Sequence, residues 1–181
     1  MSQTRRIRRE LVYNGSIVDF YTDTMQIENG NIAKWDFVDH KGAAAVVPIL
    51  PDGRILMVKQ YRNALDSFTI EIPAGGLNGR DEPFIECAYR ELEEETGYRC
   101  EDGKMKHLIT LYTTVAFCNE RIDIFVADYL VQSEQKLDED EFVDVHSYEL
   151  EELVSMIFKG EIVDAKTISA ILAYKEKYKS Y

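Results

Sequence analysis

The sequence predicts an α/β chain in which an antiparallel, strand-rich leader precedes a domain of mixed strands and helices. Three observations predict it. Residues 16–27 alternate apolar and polar and are followed by Asn29-Gly30, a hairpin turn, and a return strand over 32–38. A continuous apolar run at 43–50 reads as a strand buried on both faces. Helical segments then appear at 83–96, 149–159 and 164–178.

In chain order, the strand-rich leader covers residues 8–40, and the apolar strand ends at Pro51-Asp52-Gly53, a turn that starts a second strand over 55–60. A short strand at 69–72 meets Pro73, and a loop bearing Gly75, Gly76 and Gly79 leads into the helix at 83–96. Gly97 stops that helix in the left-handed position a helix C-terminus favours. Strands follow at 108–115 and 122–130, then an acidic loop at 134–141. Two helices finish the chain, with Asp164 as N-cap of the second.

At 181 residues and 45% hydrophobic, the chain can bury one sizeable core. Its 33 acidic residues against 21 basic ones give a formal charge of −12. That excludes a nucleic-acid duplex or an anionic membrane as partner, since both require a basic surface. Cys87, Cys100 and Cys118 are odd in number and lack CxxC spacing, as expected of free thiols in a reducing compartment. The longest apolar run, 42–50, is too short to span a bilayer, so a soluble, cytoplasmic protein is expected.

The chemistry concentrates on the helix at 83–96. At 100° per residue, Glu91, Glu94 and Glu95 fall within an arc of about 100°, and Glu93 points to the opposite side. Three carboxylates on one face repel each other. Two also lie in the last turn, where the helix dipole disfavours each by about 0.3–1 kcal/mol. A bound Mg²⁺ or Mn²⁺ reverses the sign of these terms, because hard cations prefer oxygen ligands. Arg90, in reach of Glu86 and Glu94, is suited to fix a carboxylate rotamer. On the helix alone, an acidic solvated surface explains the pattern equally well.

The wider spacing decides between them. Gly76, five residues, Glu82, seven residues, then Arg90-Glu91-Leu92-Glu93-Glu94-Glu95-Thr96-Gly97-Tyr98 fill every specified position of the Nudix box over 23 consecutive residues. The chain therefore resembles the Nudix hydrolases. Val58-Lys59-Gln60-Tyr61-Arg62, Ile70-Glu71-Ile72-Pro73-Ala74-Gly75, Phe117-Cys118-Asn119-Glu120 and Asp164-Ala165-Lys166-Thr167 resemble the branch of ADP-ribose pyrophosphatases and nucleotide-sugar hydrolases.

The resemblance implies the Nudix fold, a mixed sheet between helices, over residues 41–181. It implies that the leader, 1–40, exchanges across a homodimer and contacts the substrate base. The metal ligands it implies are Glu91, Glu94 and Glu95 with the carbonyl of Ala74. One extra residue before Glu82 leaves Gly75 as the alternative carbonyl. Gly76, Glu82 and Arg90 support the site. Glu141 is the implied general base, with Glu139 behind it. Trp35 is the base-stacking aromatic, or a strand residue at the dimer seam. Arg62 pairs with a phosphate or is an ordinary surface arginine, and Glu71 anchors the loop or the ligand. The implied reaction is Mg²⁺-dependent cleavage of a nucleoside diphosphate derivative, with ADP-ribose giving AMP and ribose 5-phosphate. The stretch 111–117 lacks a proline common in ADP-ribose-specific members and carries Ala116 in place of a glycine. That keeps another nucleotide sugar, such as GDP-mannose, open. A non-catalytic Nudix ligand sensor is the alternative of a different class.

Overall fold

The computed structural model describes residues 3–137 and 142–179. Backbone contacts divide the chain into two compact units, Met1–Gly42 with Tyr112–Arg121, and Ala43–Leu111 with Ile122–Tyr181.

The first unit is a three-stranded antiparallel sheet in the order β1 (Arg5–Asn14), β2 (Asp19–Gln26), β3 (Ile32–Asp39). The turn between β2 and β3 needs Gly30, whose φ of +87° is costly for any residue with a Cβ. β1 has no separate signature in the sequence because its apolar side chains, Ile7, Leu11, Val12 and Tyr13, are exposed. Two register shifts further break its alternation. What holds it is Arg9, which forks onto Asp23 at 2.7 and 2.6 Å and lies 3.6 Å over the Phe37 ring. The hydrogen bonds from Arg9 hold the buried Asp23 carboxyl below the usual range.

The second unit is layered. β4 (Ala43–Pro48) is buried throughout and pairs in parallel with β10 (Arg121–Ala127) and antiparallel with β7 (Ala74–Gly76). With β9 (Lys106–Tyr112) the order is β7-β4-β10-β9. A second sheet has the order β12 (Val143–Tyr148), β5 (Ile55–Arg62), β6 (Ser67–Glu71), and β8 (Tyr98–Cys100) pairs with β11 (Leu130–Gln132). Side chains of β4 alternate between two cores. Ala43, Ala45 and Val47 join Leu153, Met156 and Ile171 of α2 (Leu150–Lys159) and α3 (Ala165–Lys179). Ala44 and Val46 join Cys87, Ala88 and Leu92 of α1 (Phe84–Thr96). Helices thus cover both faces, the arrangement that lets a strand be apolar on every residue.

Two predicted strands are corrected. The strand expected at 108–115 stops at Tyr112, because Phe117 and Cys118 donate to the Thr114 carbonyl at 3.2 and 2.9 Å and turn the chain. The strand expected at 122–130 breaks into β10 and β11 at Tyr129, whose φ is +59°. β7 forms where a loop was expected, and β12 follows directly on the acidic run. The N-cap at Asp164 is present: its carboxylate accepts the Thr167 N–H at 2.9 Å. Among the described residues no helix is long and apolar enough to cross a membrane.

Candidate functional site

α1 forms because its apolar side chains, with Leu92 at the centre, face the core on one stripe, while Glu86, Glu93 and Glu94 lie on its more exposed side. Gly97 ends it at φ +69°, donating its N–H to the Glu93 carbonyl at 3.0 Å. Arg90 gathers the acidic face. Its Nη1 bonds Glu91 at 2.5 Å and Glu94 at 3.0 Å, its Nε reaches Glu82 at 3.3 Å, and its Nη2 donates to the Gly76 carbonyl at 3.1 Å. Burial works to lower the Arg90 pKa, but the carboxylates of Glu91, Glu94 and Glu82 outweigh it and raise it above the ordinary value. Glu82 in turn accepts the Asn78 N–H at 2.6 Å, which closes the loop between Gly76 and the helix.

Glu91 and Glu95 are buried. Glu95 accepts the Ala74 N–H at 2.9 Å. Glu91 lies so close to Gly75 that a Cβ there would meet its carboxylate at 2.1 Å. The backbone of 74–75 and two carboxylates of α1 therefore share one location. Glu93, as its angle on the helix requires, turns away and accepts a hydrogen bond from Ser133. Cys87 lies beneath, with its thiol 3.3 Å from Arg90; burial and then the Glu91 charge push its pKa up to about 12, so it remains protonated.

Gly75→Ala tests the close approach. The atom in the way is the far end of a flexible side chain, so the Glu91 carboxylate is expected to swing aside. Activity should fall roughly tenfold, the usual lower cost of disturbing a metal ligand's surroundings. The melting temperature should hardly move, and steady-state kinetics beside thermal unfolding reads both.

Arg62, itself partly exposed, and the buried Glu71 form an ion pair instead of two separate groups. Glu71, 2% exposed, takes Nε and Nη2 of Arg62 at 2.7 Å each, the Thr69 hydroxyl at 2.6 Å, and Lys166. Burial would raise its pKa, but Arg62, Lys166 and Thr69 together bring it down to about 2. Glu95 adds to the carboxylate charge that keeps Arg62 protonated, which ties this network to α1. Lys166 and Thr167 had no assigned role in the sequence. Their only signal there was membership of the Asp164–Thr167 segment.

The segment after β11 straps the end of α1. Ser133 N–H donates to the Gly97 carbonyl at 2.7 Å and Lys136 N–H to the Glu94 carbonyl at 3.0 Å. The Gln135 amide donates to the carbonyls of Glu95 at 2.7 Å and Val143 at 3.3 Å. Helix-terminal carbonyls that would otherwise lack partners are thereby satisfied. Glu139 and Glu141 lie outside the described residues.

Trp35 sits on β3, about half exposed. With Phe20, Lys34, Asp36 and Phe117 it lines a cavity of about 610 Å³ within the first unit.

A family model, the NUDIX domain, matches residues 39–171. The chain is 39% identical over 171 residues to the ADP-ribose pyrophosphatase of Bacillus subtilis (strain 168), covering 93% of this chain and 91% of that one. It is 40% identical over 171 residues to the methanol dehydrogenase activator of Bacillus methanolicus, with the same shares, 93% and 91%. Its fold matches the crystal structure of an ADP compounds hydrolase with a TM-score of 0.83 at 20% identity, covering 96% of this chain and 93% of that one.

The chain belongs to the Nudix family and is one of its hydrolases. Enzymes of this family generally use divalent metal ions. The donor set fits such an ion: hard carboxylate oxygens of Glu91 and Glu94 are already drawn to one cationic nitrogen, and the bare backbone at Gly75 lets the Glu91 carboxylate approach closely. Among the described residues no three acidic, His or Cys side chains converge as a preformed metal cage. Glu91 and Glu94 are held by Arg90 and Glu95 by the Ala74 amide, which keeps the like charges apart.

Proposed function

We propose that this chain hydrolyses the diphosphate linkage of a nucleoside diphosphate derivative in the presence of Mg²⁺ or Mn²⁺, with ADP-ribose as substrate and AMP and ribose 5-phosphate as products. The observation that carries this reading is the meeting of Glu91 and Glu95 with the backbone of Ala74 and Gly75. The Bacillus subtilis relative supports the choice of substrate. Glu91, Glu94, Glu95 and the Ala74 carbonyl would hold the metal. When bound, it neutralises the diphosphate and acidifies a water molecule.

The chain's own residues do the rest. Arg90 keeps Glu91 and Glu94 in fixed rotamers, and Glu82 and Gly76 steady Arg90. Glu141, with Glu139 as the alternative, takes the proton from the attacking water. Arg62, held by Glu71, faces a phosphate, and Trp35 stacks on the base, contributing roughly 1–3 kcal/mol.

The leader, 1–40, serves a homodimer in this reading, whose subunit surface would cover the exposed Ile7, Leu11, Val12 and Tyr13 of β1. Sedimentation equilibrium reads the mass; a monomer at micromolar concentration would overturn it. A cytoplasmic location is supported by the free thiols Cys87, Cys100 and Cys118.

The test is turnover with Mg²⁺ across ADP-ribose, GDP-mannose, other nucleotide sugars, dinucleoside polyphosphates and nucleoside triphosphates. ADP-ribose should give the highest kcat/KM. Preference for GDP-mannose would replace the substrate, and no turnover of any compound would sink the catalytic reading in favour of a ligand-sensing module. The relative named as a methanol dehydrogenase activator supports a second reading, in which this chain raises the activity of a dehydrogenase. Adding the chain to a methanol dehydrogenase assay tests it.

A further inference from the structure

Between Glu71 and Ala74 the chain passes from one sheet to the other. Glu71 is the last partner of β5, opposite Val58, and Ala74 the first partner of β4 at this end, opposite Ala45. Ile72 and Pro73 therefore form an arch outside both ladders. Pro73 has no N–H to place, and its carbonyl accepts from Val46 at 2.9 Å. Ile72, fully buried, does have an N–H, and a buried amide outside a ladder needs a partner. The Thr167 hydroxyl, itself 0% exposed, provides one at 3.0 Å.

Both feet of the arch are also tied. Glu71 is bound by Arg62, Thr69 and Lys166, and Lys166 is steadied by Asp164 at 3.0 Å. At the other foot, the Ala74 amide holds Glu95. The arch is stiff: proline fixes its own φ, and Ile72 is both β-branched and confined by the proline after it. A shift at Ile72 is therefore carried to Ala74 instead of being absorbed between them.

We propose that Thr167 and Lys166, at the start of α3, are positioning residues for the hydrolytic centre, acting through the arch 71–74 on the Ala74 backbone and Glu95. The proposal rests on the reading of Glu91, Glu94 and Glu95 as metal carboxylates. Neither residue touches the substrate or the metal. They set where the arch stands over α1.

Thr167→Val keeps the shape of the side chain and removes its hydroxyl. Amide exchange followed by NMR should accelerate at Ile72 and, with it, at Ala74. Mn²⁺ affinity should weaken roughly tenfold, as when outer partners of metal ligands are removed, and kcat should fall at temperatures well below unfolding. Thr167→Ser restores the hydroxyl and should restore all three. Acceleration confined to Ile72, with Mn²⁺ affinity and kcat unchanged, would overturn the proposal and leave an ordinary core hydrogen bond. If Thr167→Val does not fold, Lys166→Gln loosens the Glu71 foot instead, and the same Ala74 amide decides. That exchange is read without metal or substrate. It therefore decides the coupling even for a wild-type protein that binds no Mn²⁺, an outcome that would overturn the metal reading itself.

Discussion

Glu95→Gln is expected to lower kcat for ADP-ribose by about 10³-fold, the scale on which loss of one electrostatic group at a reacting centre acts. The fold should survive. Glutamine has the same length, and its amide oxygen can still accept the Ala74 N–H that Glu95 now takes at 2.9 Å. Removing one negative charge from a crowded face also relieves repulsion, offsetting the attraction lost toward the nearby Arg62. The melting temperature should stay within a few degrees. Glu93→Gln is the matched control, since Glu93 faces Ser133 on the other side of the helix; it should retain near-normal turnover. Steady-state rates with Mg²⁺, measured beside thermal unfolding, separate the two variants. Full activity in Glu95→Gln would sink the metal assignment.

The second large effect concerns stability. Glu71→Gln removes a buried carboxylate shared by Arg62 and Lys166 and leaves two cations facing each other at a partly buried site. Breaking such a pair costs about 3–5 kcal/mol, and the lower end applies here because Arg62 is partly exposed and Lys166 keeps Asp164. For a chain of this size that is roughly 6–12 °C in melting temperature.

The same group predicts an acid limb. Its carboxyl pKa is depressed from 4.5 to about 2 in the folded protein. A depressed carboxyl contributes stability that is complete above the unfolded value and is lost as pH falls through the folded one. Wild-type stability should thus drop by about 3 kcal/mol from this group between pH 4.5 and 2. Glu71→Gln should lack that component. Urea unfolding across the interval measures it, and parallel curves for the two proteins would refute the link.

Some of this architecture was legible in the residues, and the reason is physical in each case. The run at 43–50 reads as a buried strand because both faces of β4 meet a core, so no polar position interrupts it. The box helix reads clearly because three and four residues are one turn, and Glu91, Glu94 and Glu95 announce a face without any tertiary information. Glu93 was separable from them on the same ground, and its bond to Ser133 agrees. β1 was not legible as a separate strand, since exposed apolar residues destroy the period that burial would impose. The network at Glu71 was equally hidden. Lys166 is 95 residues away from Glu71, and no local pattern encodes a partner at that distance. In the sequence Arg62 therefore looks equally suited to phosphate or to solvent, whereas in the structure Glu71 occupies two of its nitrogens.

The strap formed by Gln135 has a consequence for how such a protein can diversify. One side-chain amide joins the end of α1 to Val143, so the chain is held to the helix on both sides of the acidic run, at Gln135 and at Val143. Closing a longer segment between fixed ends costs only about 0.6 kcal/mol for each doubling of its length. Insertions and deletions there should consequently cost the fold little and leave Arg90 and its carboxylates in register, while displacing Glu139 and Glu141. A lineage can thus retune its proposed proton acceptor, Glu141 or Glu139, by editing this span, with the box helix inherited unchanged.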